Sequence, residues 1–221
     1  MINLNKYRII DLTHELLPGE RKLDGHYRRG VHHHNRPIEV EEFICSEARM
    51  HFLHTETHLG THAEAPYKYS ETGADIASMP LSSYMGEAVA CNFAHKKAGE
   101  TVTSEDFRNA GVKTGDIVLA WCSRDTPAPK PYITYEAIDW LIETRIKMLG
   151  LENLRYSPPE TPLGPGDADC KLLLAGITMV DDLKDLDRIK KPRVFFMALP
   201  MKLRRVTAIS VRAVALEDLD D

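Results

Sequence analysis

The sequence contains no CxxC pair, no histidine beyond His95, and no apolar run approaching the ~18 residues of a membrane span. Its four cysteines, Cys45, Cys91, Cys122 and Cys170, are widely separated. That excludes a local zinc ribbon or thioredoxin-type motif, and points to reduced, mostly buried thiols in a cytoplasmic protein. The first residues, MINLNKYRIIDL, lack an apolar h-region and a small-residue cleavage site, so no signal peptide is expected. Positive charge is not in excess either: the net charge is −5 and the pI is near 6.1, which argues against an electrostatic nucleic-acid partner. The basic cluster Lys202, Arg204 and Arg205 reads as a solvated strand end or turn. A Gly-rich phosphate loop, a Ser-His-Asp pattern and a reactive-cysteine motif are also missing. These absences lead us to expect a soluble protein with no membrane or nucleic-acid partner.

What is present is enough apolar material for one large domain spanning residues 1–221. Hydrophobic residues make up 43% and charged residues 28% of 221 positions. YRIIDL, EAVACNFA, DIVLAWC and KMLGL are short apolar runs between turn signals, as expected of buried strands. Residues 38–57 alternate roughly as strands do. Helix starts are expected near Ser104 and after Thr134, and residues 172–183 read as a helix end running into a strand. VFFMALPMKL and AISVRAVAL close the chain as two further strands. Interleaved strands and helices predict a mixed α/β domain. Residues 17–37 form a long polar loop carrying Arg28, Arg29 and His32 to His34. A loop of this length is either functional, packed against a partner subunit, or a solvated surface segment.

Chemistry concentrates in HTETHLGTHAEAPYKY, residues 54–69. Gly60 and the Ala65-Pro66 step disfavour a helix here. If the stretch is extended, His58, Gly60, His62 and Glu64 share one side, with Gly60 leaving room between the imidazoles. Two imidazoles and a carboxylate form a three-ligand site for Zn²⁺ or Mn²⁺ with a position open for water, whose pKa the metal lowers toward ~7. His54, one step earlier in the same spacing, is expected to support the site rather than ligate.

At these residues the sequence resembles the cyclase family of metal-dependent hydrolases, of the kynurenine formamidase and isatin hydrolase kind. The family hallmark is His-x-Gly-Thr-His-x-Asp-x-Pro-x-His. Here that register reads His58-Leu-Gly60-Thr61-His62-Ala-Glu64-Ala-Pro66-Tyr-Lys68. Flanking matches occur in the family's order: IIDLTHEL, GDIVLAW, YEAIDWL with MLGLENLRYSPP, GITMVDDLKDL, and FFMALPMKL…SVRAVAL. The resemblance implies a swivelling β/β/α fold with a mixed central sheet, and a homodimer or homotetramer. It also implies hydrolysis of a small amide, lactone or lactam by a metal-activated water. His58, His62, Glu64 and Asp181 would be metal ligands, Lys68 and Glu64 catalytic, and Lys68, Ser157 and Arg28 substrate contacts.

The sequence departs from that pattern in four places. Glu64 replaces an aspartate, Lys68 replaces the last motif histidine, and Asp181 stands where the family has a glutamate. The second-half histidine of formamidase-type members has no counterpart, Asp169 or Cys170 lying near its place. These departures favour a mononuclear over a dinuclear site. Three roles are open to Lys68: binding an anion or oxyanion, pairing with Glu64 or Asp181 in place of metal, or acting as a base when neutral. Two other functional classes fit the same residues, a non-catalytic small-molecule or metal-binding homo-oligomer and a metal-dependent lyase or isomerase.

Overall fold

A computed structural model describes residues 3–18, 38–159, 161 and 166–219. Among the described residues twelve strands and three α-helices follow one another along the chain. In order they are β1 (Tyr7–Asp11), β2 (Glu39–Cys45), β3 (Ala48–His54), β4 (His62–Glu64), β5 (Met85–Asn92), β6 (Thr101–Val102), α1 (Ser104–Asn109), β7 (Ile117–Trp121), β8 (Tyr132–Ile133), α2 (Tyr135–Thr144), β9 (Met148–Glu152), α3 (Ala168–Leu174), β10 (Thr178–Asp181), β11 (Arg193–Pro200) and β12 (Ala208–Asp218). Among the described residues no helix is long and apolar enough to cross a membrane.

The main sheet runs β1-β12-β11-β5-β7-β9-β10-β4, and a β12–β4 pairing closes it on itself. Strands β5, β7, β9 and β10 are mutually parallel, while β11, β12 and β4 are antiparallel to their neighbours. The expected mixed α/β architecture with a mixed central sheet is therefore found. Parallel neighbours need crossover connections. Here α1, α2 and α3 lie in those crossovers, and Thr103, Thr134 and Asp167 cap their first turns by accepting backbone N–H bonds.

Side-chain alternation on the parallel strands sorts the core into two layers. Val89, Cys91, Val118, Ala120, Leu149 and Met179 face the helices, where they meet Phe107, Ile138, Leu141 and Leu172. Their neighbours Ala88, Ile117, Leu119, Met148 and Val180 face the barrel interior. Burial on both faces explains why DIVLAWC and KMLGL are continuous apolar runs. Each fully buried Leu- or Ile-sized side chain contributes about 1.5–3 kcal/mol, so two such layers dominate the stability.

The alternation over residues 38–57 resolves into the hairpin β2–β3, but it does not mark a buried face. Ile44, Met50, Phe52 and Leu53 are all exposed, and Phe43 stacks on Phe52 with ring centroids 4.7 Å apart. The four cysteines are free thiols and all but Cys45 are buried. Residues 201–205 form the expected solvated turn after β11.

Candidate metal centre

Three-residue β4 carries the centre, and its neighbours set which way it faces. It pairs with β10 on one edge and with β12 on the other, placing His62 opposite both Asp181 and Ser210. Ala63 packs into the barrel interior. His62 and Glu64 therefore project from the opposite face, the one shared with Met179 and covered by α3. Both are about 2% exposed or less.

His58 reaches the same point by a turn rather than by strand alternation. Regular strand begins only at His62, and Gly60 has φ +58°, the left-handed region. The space beside Gly60 belongs to Leu16: a Cβ there would sit 2.6 Å from Leu16 Cδ2. So the glycine is needed for a bend and a close approach to Leu16, not for clearance between imidazoles. Ser210 Oγ donates to Leu59 O at 2.9 Å, and Thr61 Oγ1 donates to Asp182 O at 2.6 Å, which ties both sides of the bend to the sheet. His54 ends the exposed hairpin and takes no part in the hydrogen bonds of the cluster.

Ligand-capable atoms of His58, His62 and Glu64 all lie within 4.8 Å of one another, the one such group among the described residues. His58 Nδ1 is 2.8 Å and His62 Nε2 is 3.4 Å from Glu64 Oε1. Ligands bound tetrahedrally at 2.0–2.1 Å from zinc would be separated by roughly 3.4 Å, so a modest opening of the His58 contact admits an ion. The far nitrogen of each ring is already engaged by an oxygen. His58 Nε2 lies 2.9 Å from Thr207 Oγ1, and His62 Nδ1 donates to Gly60 O at 2.8 Å. Outer partners of this kind fix the orientation and tautomer of ligating histidines.

Asp181 lies beside this group rather than in it. It is partly buried, in register with His62, and its Oδ1 accepts a hydrogen bond from the Tyr156 hydroxyl. Burial, reinforced by the nearby Glu64 charge, pushes the Asp181 carboxyl up. Burial and Asp181 together also push the Tyr156 phenol up, keeping it a donor.

Lys68 follows β4 in the 3-10 turn Pro66–Lys68, which returns its amine to Glu64. Its Nζ donates to Glu64 Oε2 at 2.8 Å, to Glu64 Oε1 at 3.0 Å and to Asp169 Oδ2 at 3.0 Å. Asp169 arrives from the first turn of α3 and also accepts from the Tyr69 hydroxyl at 2.6 Å. Burial opposes the charge on Lys68, but Glu64 and then Asp169 outweigh it and hold the ammonium far above its ordinary range. Burial raises the Glu64 carboxyl, but bonds from His58 and His62 and the Lys68 charge prevail and keep it well below the usual range. Its contacts thus pair Lys68 with Glu64 and Asp169.

The centre fits a dication on charge as well as donors. Glu64, Asp169 and Asp181 face the single ammonium of Lys68, which leaves two negative charges with the imidazoles neutral. The protein's own protons respond to that surplus. Burial lowers the His62 pKa, but the bond to Glu64 and the Asp181 charge overcome it and push it up to about 9.

Ser157 is buried and its hydroxyl donates to Asp167 Oδ1 at 2.8 Å, so it braces the residue that caps α3. Arg28 and the rest of segment 19–37 lie outside the described residues. Thr207, Tyr69 and Tyr156 escaped the sequence reading. The tyrosines adjoin residues that were singled out, Lys68 and Ser157, which is a usable signal; Thr207 has none.

A family model described as a putative cyclase matches residues 10–157, more than half of the chain. The chain belongs to that family. Among curated relatives, a kynurenine formamidase of Erythrobacter litoralis is 29% identical over 97% of this chain and 95% of its own length. A kynurenine formamidase of Bordetella petrii is 25% identical over 91% of each. Isatin hydrolase A from Labrenzia aggregata, solved bound to benzyl benzoate, superposes with a TM-score of 0.74 at 22% identity, covering 97% of this chain and 95% of that one. A potential metal-dependent hydrolase with cyclase activity gives a TM-score of 0.71 at 20% identity, covering 96% and 98%. These two structures establish the shared cyclase fold.

Proposed function

We propose that this cyclase-family chain is a metal-dependent hydrolase of a small amide, lactone or lactam, with a Zn²⁺ or Mn²⁺ ion held by His58, His62 and Glu64. The observation that carries the reading is the convergence of those three ligand groups in a buried centre with surplus negative charge. Kynurenine formamidase and isatin hydrolase relatives support the C–N substrate class. When bound, such an ion supplies Lewis acidity and an activated water at neutral pH.

The chain's own groups hold that chemistry in place. His58 and His62 are oriented by Thr207 and Gly60. Lys68 stays protonated and fixes both oxygens of Glu64. Tyr156 keeps Asp181 engaged beside the ligands. The homo-oligomer part of the proposal, a dimer or tetramer, is supported by the hairpin β2–β3, whose apolar side chains suit a second copy of this chain. Light scattering on the purified protein reads that state directly. The free thiols suit a cytoplasmic setting.

The test is metal analysis of protein purified without a His-tag, joined to a panel of aryl formamides, lactams and lactones. About one equivalent of transition metal, lost in His58→Ala, and chelator-sensitive turnover are expected. Trace metal unchanged by His58→Ala would overturn the proposal. One observation favours a second reading, a non-catalytic binder: the Lys68 ammonium lies on the same carboxylate that a metal requires. Ligand-induced thermal stabilisation without turnover of any panel member would decide for it.

A further inference from the structure

We propose that the Lys68 ammonium is a built-in cation occupying a second cation position of the centre, so that Lys68 and Asp169 together limit it to one metal ion. The inference rests on the metal reading above and goes beyond it by assigning the stoichiometry to a named pair. An ammonium has three N–H donors, and those of Lys68 meet three carboxylate oxygens, two from Glu64 and one from Asp169, at 2.8–3.0 Å. The two acids are 105 residues apart in the chain and reach each other only through the packing of α3 on the turn after β4. Asp169 is held in that geometry from its other neighbours as well: Tyr69 donates to Oδ2 at 2.6 Å and the Cys170 amide donates to Oδ1 at 2.7 Å. Glu64 Oε1 also meets His58, so the carboxylate bridges the histidine ligands on one side and the ammonium on the other.

Removing the amine changes what the pocket needs. Glu64 and Asp169 would then face each other across the space of the ammonium, both 8% exposed or less and with no charge between them. Two buried carboxylates so placed either bind a proton or bind a cation. Because Glu64 Oε1 meets both histidines as well as the amine, a divalent ion entering that space would share Glu64 with the first. Paired ions of this kind sit roughly 3.5–4 Å apart. Lys68 is a positioning and charge-compensating residue in this account, not a group that moves a proton.

The experiment titrates chelated, tag-free protein with MnCl₂ by calorimetry and follows the same samples by electron paramagnetic resonance. Wild type is expected to take one equivalent and show the six-line signal of an isolated ion. Lys68→Ala and Lys68→Gln are expected to take two equivalents, with the broadened signal of a spin-coupled pair. Adding Asp169→Asn to Lys68→Ala returns the count to one. A variant whose metal-free form is unfolded is scored by circular dichroism: refolding by two equivalents supports the proposal, and failure to refold overturns it. One equivalent in both wild type and the Lys68 variants, or two in wild type, overturns this inference and leaves the metal reading intact. No binding by wild type overturns both.

Discussion

Replacing Gly60 by alanine tests whether the bend between the two histidines, rather than a continuous strand, builds the centre. At φ +58° the new Cβ meets its own backbone, at a cost of about 1–2 kcal/mol. It also arrives 2.6 Å from Leu16 Cδ2. That methyl ends a flexible, partly buried side chain, so it can turn away for about 0.5–1.5 kcal/mol of rotamer strain. Loss of glycine's freedom in the unfolded chain offsets about 0.4–1 kcal/mol. The net expectation for Gly60→Ala is a loss of about 2 kcal/mol in urea unfolding of the metal-free protein. A cycle with Leu16→Ala separates the two terms: the steric part, about 1 kcal/mol, should vanish in the double variant, while the backbone part persists. Because Gly60 O is the partner of His62 Nδ1, Mn²⁺ affinity measured by calorimetry should fall as well. A stability within 0.5 kcal/mol of wild type, with unchanged metal affinity, would refute the reasoning, since an extended residue 60 would tolerate alanine.

Three other predictions concern the charges and hydrogen bonds around the same residues. In chelated protein, His62 titrates about two and a half pH units above its ordinary 6.5, near 9, a contribution on the order of 3 kcal/mol. Since the folded value is raised, that stability is fully present below pH 6.5 and lost as the pH rises through about 9; a flat unfolding free energy from pH 6.5 to 9 would count against the burial of His62 beside Glu64 and Asp181. Thr207→Val removes the oxygen facing His58 Nε2 and should weaken Mn²⁺ binding by about 10–100-fold, with unfolding of the metal-free protein reporting whether the fold is otherwise kept. Tyr156→Phe leaves the partly buried Asp181 without its hydroxyl donor and should cost about 1–3 kcal/mol; an unchanged melting temperature would mean that Asp181 has another donor.

The sequence was most legible where a local cause acts alone. Burial on both sheet faces makes β7 and β9 continuous apolar runs, and Thr103 and Thr134 announce their helices by accepting the first free amides. It was least legible where a distant element decides the outcome. The alternating apolar residues of β2 and β3 look half-buried in sequence, yet nothing in the described chain covers them. Extended spacing grouped His58, His62 and Glu64 correctly but for the wrong local reason, because the left-handed turn at Gly60 is set by Leu16 and the strands around it. Thr207 reaches His58 across 149 residues of chain, a distance no motif spans.

Lys68 and Asp169 join the two kinds of information. Read in sequence, the motif's last position has changed from histidine to lysine, which looks like a lost ligand. In the structure the change is coupled to the second half of the chain, where an acid sits near the place of the missing histidine and receives the ammonium. A lysine alone beside Glu64 would compete with a metal for that carboxylate. A lysine shared with Asp169 adds no net charge to the pocket, so Glu64 and Asp181 retain the two negative charges that a divalent ion neutralises. Substituting either member alone should therefore disturb metal binding more than substituting both, because only the single change leaves a buried charge uncompensated. Changes in Mn²⁺ affinity that simply add across Lys68→Met, Asp169→Leu and the double variant would show that the two residues act independently.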